Sequence, residues 1–395
     1  MTKTATRTRT FTITSRIDAV TGIPQRYLSD RLPAPRSVKI ELTSQCNYRC
    51  GFCAHRLRMK NRGEMDRGFY ERVVGEMVDA GVEELGVFYI GESFMCEWLP
   101  EAIRYAKDRG IKYAFLTTNG SLSKPERVKA CMEAGLDVIL EKPMVMTAAE
   151  AEALIETRDR TGRTLMVAFQ GTASTRGTEA RRLLRSGELG QILNISAVVW
   201  QDWATNTAGS WRQQPEMSGG GFMFDTGAHM LNTVTDLAGE DFVDVAAWQA
   251  DDGYPVDVRT VVMGRLASGA LVTMNGCGRA IPSLDSEVRF FTTKAILRTG
   301  IYGELLELQR AGRRRFRRVP AETHGSVWER FVEVRTGASP NPNPAEVGLR
   351  MARLWDAIRM SAQNGGAVVT LGSAVPIETK PVGIIGPASL PAAAS

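Results

Sequence analysis

No stretch of this 395-residue sequence approaches the roughly 18 consecutive apolar residues that a membrane-spanning helix needs, and the opening MTKTATRTRTFTITSR has no apolar core of the kind a secretory signal carries. A cytoplasmic location and no membrane partner follow as expectations. Charge of one sign is also scarce. The 49 basic and 44 acidic residues leave a net charge of +5, too little at this length to argue for a nucleic-acid partner. No internal repeat is evident, and histidine occurs only three times. Missing too is a Gly-x-Gly-x-x-Gly turn after any early strand. Such a turn normally gives a dinucleotide pyrophosphate its backbone amides and a helix N-terminus.

What is present is the balance of a globular enzyme-sized chain, 43% hydrophobic and 24% charged, long enough for two domains. Residues 1–35 are rich in Thr and Arg and read as a flexible leader. From Val38 a strand, loop, helix pattern repeats. Strands are expected at Val38–Leu42, Leu85–Ile90, Tyr113–Thr118, Asp137–Leu140 and Thr164–Phe169. Helices are expected from Phe69 to Ala80 behind an Asp66 N-cap, from Glu101 to Arg109, from Pro125 to Ala134, and after a Thr147–Glu150 capping box. Strands alternating with helices mean a parallel sheet with helical crossovers. After about residue 190 the strands are joined by short turns instead, which indicates a large, mostly antiparallel sheet, closed by a helix from Pro344 to Ala362. Residues 373–395, rich in Pro, Ala, Gly and Ser, read as a disordered tail. The fold class is α/β at the front followed by an α+β domain.

Six cysteines are present, and three of them crowd together as Cys46-Asn-Tyr-Arg-Cys50-Gly-Phe-Cys53, directly after the first strand. Thiolates so spaced can hold three irons of a [4Fe–4S] cube and leave the fourth open; a zinc site or chance spacing is the plain alternative. The segment resembles the radical S-adenosylmethionine (SAM) superfamily, whose signature has this spacing with an aromatic residue, here Phe52, before the third cysteine. The resemblance implies that Cys46, Cys50 and Cys53 ligate the cluster. It also implies that Gly91-Glu92 stands where the family receives the amino group of SAM, and that Thr118-Asn119 is its polar segment near the cofactor. Ile90 replaces the first glycine of the family's Gly-Gly-Glu. The likeness covers about residues 36–137 and then stops, so the sheet is expected as a partial radical SAM barrel or a Rossmann-like sheet. Cys96 and Cys131 read as buried small hydrophobes.

Farther on, Glu141-Lys142-Pro143 follows the fourth strand, and Gly219-Gly-Gly221 leads through Asp225 to His229. Hydride removal from a secondary alcohol needs a base for the hydroxyl proton, which a histidine can supply. Asp225, one helical turn away, can orient the imidazole or bind a hydroxyl, and Lys142 can hold the substrate oxygen. The plain alternative makes Asp225 a helix cap and His229 a satisfied core histidine. From about Ala134 to Leu371 the sequence resembles the glucose-fructose oxidoreductase, inositol dehydrogenase and MocA family. That implies the end of a Rossmann-like sheet over 138–190, a substrate and dimerisation domain over 191–372, and Lys142, Asp225 and His229 as its catalytic residues. The missing glycine fingerprint argues against NAD(P) binding.

Three readings therefore stand. The first is an oxidoreductase with an iron–sulfur cluster and SAM, acting on a sugar or cyclitol and forming a homo-oligomer through the C-terminal sheet. The second is an NAD(P)-dependent dehydrogenase with a degraded nucleotide site. The third is a non-catalytic fusion. Arg310 and the arginines from 313 to 318, interrupted at Phe316, read as a solvated sheet edge, with a phosphate-meeting patch as the alternative.

Overall fold

A computed structural model describes residues 34–49, 53, 63–321 and 326–372. Cys50 and Phe52, most of the expected leader, and the expected tail lie outside these described residues. The chain divides into two units, Met1–Asn119 and Gly120–Ser395.

In the first unit β1 (Ser37–Lys39), β2 (Glu84–Gly86) and β3 (Tyr113–Phe115) form a parallel sheet in that order. Helix α1 (Arg67–Asp79) starts where Asp66 Oδ1 accepts from the Phe69 amide at 2.8 Å. It buries Tyr70, Val74 and Met77, residues at helical spacing along one face. Helix α2 (Leu99–Arg109) buries Leu99, Ala102, Ile103 and Ala106, and the Tyr70 hydroxyl donates to the Ala102 carbonyl at 2.8 Å. Gly110 ends α2 with φ of 118°.

The three strands are shorter than the sequence pattern suggests, for a local reason. Beyond Gly86 the backbone turns away from the ladder, and the Ile90 and Gly91 amides donate to Glu41 Oε1 at 2.8 and 2.7 Å. A side chain thus takes over the donors that a longer strand would have paired.

The second unit opens with α3 (Pro125–Glu133), β4 (Val138–Leu140), α4 (Ala148–Thr161), β5 (Leu165–Val167) and α5 (Thr175–Arg185), with β4 and β5 paired in parallel. The Thr147–Glu150 capping box is formed in full. Nine strands follow: β6 (Ile192–Asp202), β7 (Phe242–Ala250), β8 (Arg259–Leu266), β9 (Leu271–Cys277), β10 (Arg279–Thr292), β11 (Ala295–Thr299), β12 (Leu306–Arg310), β13 (Arg317–Arg318) and β14 (Val369–Thr370). Their order is β13-β12-β11-β10-β6-β9-β8-β7-β14, antiparallel throughout except for β6 beside β9. Strand β13, carrying two of the clustered arginines, is an exposed edge.

One face of this sheet is sealed. Helix α6 (Gly227–Ala238) is buried at all twelve positions, and α8 (Ala345–Gln363) buries twelve of its own. Val272 and Met274 point inward from β9 while Leu271, Thr273 and Asn275 face out. Each inward Val, Leu or Ile contributes about 1.5–3 kcal/mol, so this face anchors the unit. Helix α7 (Val327–Arg335) was not evident in the sequence; its capping box at Ser326 and Glu329 is the signal that marks it.

A radical SAM barrel is not formed by the described residues. The strands of the first unit pair only among themselves, and β4 pairs only with β5. Among the described residues no helix is long and apolar enough to cross a membrane.

Candidate active site

The second unit brings Lys142, Asp225 and His229 together. Lys142 leaves the carboxyl end of β4, the side on which parallel α/β sheets build their sites. Asp225 ends a short helical turn, Phe222–Asp225, whose start is pinned by Asp257: its carboxylate accepts from the Gly221 and Met223 amides at 2.8 and 3.1 Å. His229 follows in the first turn of α6.

Asp225 is a hub rather than a helix cap. Lys142 Nζ donates to its carbonyl at 2.7 Å and to Oδ1 at 3.0 Å, while Oδ2 accepts from Trp203 Nε1 at 2.9 Å and Arg212 Nε at 3.1 Å. Burial pushes the Asp225 carboxyl up, but the Lys142 charge and these bonds outweigh it and hold the group below its usual value. The carboxylate therefore orients the lysine and makes no bond to His229.

His229 is 7% exposed, and its Nδ1 is buried without a hydrogen-bond partner. The core histidine of the plain alternative would have its ring nitrogens paired, and Nδ1 here is not. Burial first, and the Lys142 charge second, lower its pKa to about 3, with Asp225 partly opposing. The imidazole is thus neutral at physiological pH. Phe169 meets it edge-on at 5.8 Å and Tyr302 lies 4.8 Å away.

Sequence reasoning missed Phe169, Arg212 and Tyr302 as members of this site. Of the tryptophans at 200, 203 and 211, Trp203, 2% exposed, is the one that bonds to Asp225. Trp211 lies outside with Arg212 over its ring at 4.6 Å.

The first unit gathers a second set of polar residues at its strand ends. Glu92, 2% exposed, accepts from the Thr118 hydroxyl at 2.6 Å and the Phe94 amide at 3.1 Å through Oε1, and from the Asn119 amide at 2.8 Å through Oε2. Asn119 Nδ2 donates to Asn47 Oδ1 at 3.0 Å and lies 3.9 Å from Cys46 Sγ. The loops after β1, β2 and β3 are thereby tied to one another. A carboxylate turned inward with three donors ties these loops together.

Close backbone approach occurs at Gly91, where an added Cβ would lie 2.0 Å from the Thr43 carbonyl oxygen. Gly91→Ala should destabilise this unit by about 1–3 kcal/mol. Urea unfolding would show the loss, and an unchanged midpoint would refute the collision. Cys46 and Cys53 are half-buried free thiols. No group of three metal-ligating residues is found among the described residues, a set that excludes Cys50. Cys96 and Cys131 are buried, and burial pushes their thiols up to about 11 and about 12.

Comparison with known proteins settles the family of the domains. Residues 79–169 match the oxidoreductase family with an NAD-binding Rossmann fold, and residues 178–298 match the GFO/IDH/MocA C-terminal domain. The chain carries Gfo/Idh/MocA oxidoreductase domains. The first match begins upstream of Ala134, where the sequence motifs place the start of that likeness, so it overlaps the stretch that resembles radical SAM enzymes.

Among curated relatives, levoglucosan dehydrogenase of Pseudarthrobacter phenanthrenivorans is 31% identical over 113 residues, 28% of this chain and 29% of that protein. The scyllo-inositol 2-dehydrogenase (NADP(+)) of Bacillus subtilis is 28% identical over 226 residues, 55% of this chain and 60% of that protein. The chain thus spans less than two thirds of the length of these relatives. An inositol dehydrogenase homolog from Azotobacter vinelandii, solved with NAD+, shares the fold with a TM-score of 0.60 at 18% identity, covering 76% of this chain and 87% of that one. Weak radical SAM homologues are also found, among them GTP 3',8-cyclase of Aquifex aeolicus, 31% identical over 178 residues, 44% of this chain and 50% of that protein.

Proposed function

We propose that the second unit is a dehydrogenase site for a secondary alcohol on a sugar or cyclitol, with a nicotinamide dinucleotide as redox partner. The observation that carries this reading is the Lys142 ammonium held by Asp225 beside a neutral, unpartnered His229. Among the three readings the sequence leaves, this one is put first.

The residues present fit the alcohol end of such a reaction. An ammonium has three donors, and Asp225 accepts from two of them, so Lys142 can donate one bond to the substrate oxygen and ease negative charge there. With Nδ1 sealed, Nε2 is the ring nitrogen able to take the hydroxyl proton. The low pKa of His229 comes from burial and from Lys142; negative charge developing between the two groups raises it again.

The pyrophosphate end does not fit in the usual way. The sequence has no Gly-x-Gly-x-x-Gly turn after any early strand to supply the customary backbone amides and helix N-terminus. Fluorescence titration with NADH and NADPH, with turnover of scyllo-inositol and levoglucosan under NAD+ and NADP+, tests the reading. Binding of neither dinucleotide together with no turnover would sink it.

The convergence of Cys46, Glu92, Thr118 and Asn119 favours a second reading, a Cys46–Cys50–Cys53 iron–sulfur site in the first unit. Anaerobic reconstitution with iron and sulfide, followed by reduction and SAM, tests it. Iron retention with 5′-deoxyadenosine release, both lost in Cys50→Ala, would support it, and no bound iron would end it.

The outer face of the large sheet exposes Trp248, Val261, Met263 and Leu271, a surface suited to a second copy of the chain. Sedimentation velocity of the purified chain would show a dimer, and a monomer at all concentrations would refute it.

A further inference from the structure

An imidazole that handles protons is ordinarily aimed by a hydrogen bond from its second nitrogen to a carboxylate or carbonyl. His229 has none. Its Nδ1 is buried without a partner, and the Asp225 carboxylate is committed to Lys142, Trp203 and Arg212. Two rings hold it instead. Phe169, just past β5, meets the imidazole at 5.8 Å with planes 89° apart, and Tyr302 meets it at 4.8 Å and 60°.

Tyr302 sits in the turn between β11 and β12, and that turn is braced from several sides. Glu304 accepts from the Tyr302 amide at 2.9 Å and from Ser286 Oγ at 2.8 Å, and the same Ser286 oxygen accepts from the Ile301 amide at 3.0 Å. Arg176 Nη1 donates to the Gly303 carbonyl at 3.2 Å. Gly171 lies so close that a Cβ there would be 2.1 Å from the Ile301 carbonyl oxygen, so only glycine allows the post-β5 turn to meet this one. The bracing fixes the backbone from which the Tyr302 ring reaches His229.

We propose that Tyr302 is a positioning residue of the alcohol site, its ring opposed by that of Phe169 so that the pair aims the His229 imidazole at the oxygen held by Lys142. This deepens the dehydrogenase reading and rests on it. The charged and titratable groups that face His229 are Lys142 from the end of β4, Asp225 from the turn before α6, and Tyr302 from the β11–β12 turn with Glu304 behind it; Phe169 brings no charge. The Tyr302 phenol, pushed up to about 12 by burial and then by Asp225 and Glu304, stays protonated, so its ring acts by shape and not by charge.

The chain has only three histidines, so an NMR titration of the histidine-labelled full chain resolves His229 directly. Wild type, Tyr302→Phe and Tyr302→Leu would be compared by that titration, and by kcat and KM for any alcohol turned over in the panel above. Tyr302→Phe is expected to keep the His229 midpoint and kcat. Tyr302→Leu is expected to raise the midpoint by about one pH unit or more and to lower kcat by about 10- to 100-fold, with KM changed less than about threefold.

An unmoved His229 midpoint in Tyr302→Leu would overturn the proposal, as would a loss of kcat in Tyr302→Phe equal to that in Tyr302→Leu. Should Tyr302→Leu fail to fold, Phe169→Leu presses the same question from the other ring, and an unmoved midpoint there overturns it equally. If neither dinucleotide binds and no alcohol is turned over, the dehydrogenase reading fails while the titration still decides whether the two rings hold the imidazole.

Discussion

Lys142→Met should lower kcat/KM for alcohol oxidation by about 10²- to 10³-fold, the scale of losing a preorganised donor aimed at developing negative charge. Methionine keeps the unbranched stem, one atom shorter, and removes the charge and the donors. Asp225 would retain Trp203 and Arg212, so circular dichroism should show the fold intact. Two secondary effects follow from the same geometry. The Lys142 charge helps hold the Asp225 carboxyl down and the His229 pKa down, so both pKa values should rise in the variant. Lys142→Arg should not rescue the rate, because a planar guanidinium cannot place a single ammonium between Asp225 and a substrate oxygen. Kinetics of the three proteins check this, and a loss smaller than about fivefold in Lys142→Met would remove Lys142 from the chemistry.

Stability should fall with acidification in a window set by His229. Its folded pKa is lowered to about 3 by burial, against about 6.5 for an exposed imidazole. Above the unfolded value both states are neutral and the full stability is present. As pH drops below about 6.5 the unfolded chain takes up a proton that the folded chain refuses, and stability is lost at up to about 1.4 kcal/mol per pH unit until the folded pKa is reached. Denaturant unfolding of wild type and His229→Gln between pH 7 and 4 measures the difference. The variant should show a shallower decline. Identical slopes would mean that His229 is not buried as neutral imidazole. The same neutrality implies that His229 imposes no pH limb on kcat between pH 5 and 8, and a His229 resonance titrating near 6.5 in the labelled chain would contradict it.

The alternation of strands and helices, the Asp66 cap and the Thr147–Glu150 capping box were all legible because each depends on residues within a few positions of one another. Lys142, Asp225 and His229 were legible as motifs, but not what each one touches. Asp225 suits an imidazole one turn away as well as it suits a lysine 83 positions earlier, and only the fold, which brings Lys142 Nζ to the Phe222–Asp225 turn, gives it to Lys142. Glu92 likewise looks in sequence like an open carboxylate, and folding turns it inward onto Thr118 and Asn119. The strands of the first unit end early because the Glu41 carboxylate, 49 and 50 positions away, claims the Ile90 and Gly91 amides.

What the sequence determined by itself is therefore what short-range physics controls: the elements, their caps, the thiol spacing and the lack of a glycine-rich phosphate turn. The tertiary structure decided how far the strands run, which partner each carboxylate takes, and which rings enclose His229. The physical reason is that hydrogen-bond partners and ring contacts are assigned by which loops meet in space. Phe169 and Tyr302 stand 133 positions apart in the chain and come to one imidazole only through the meeting of the turn after β5 with the turn between β11 and β12.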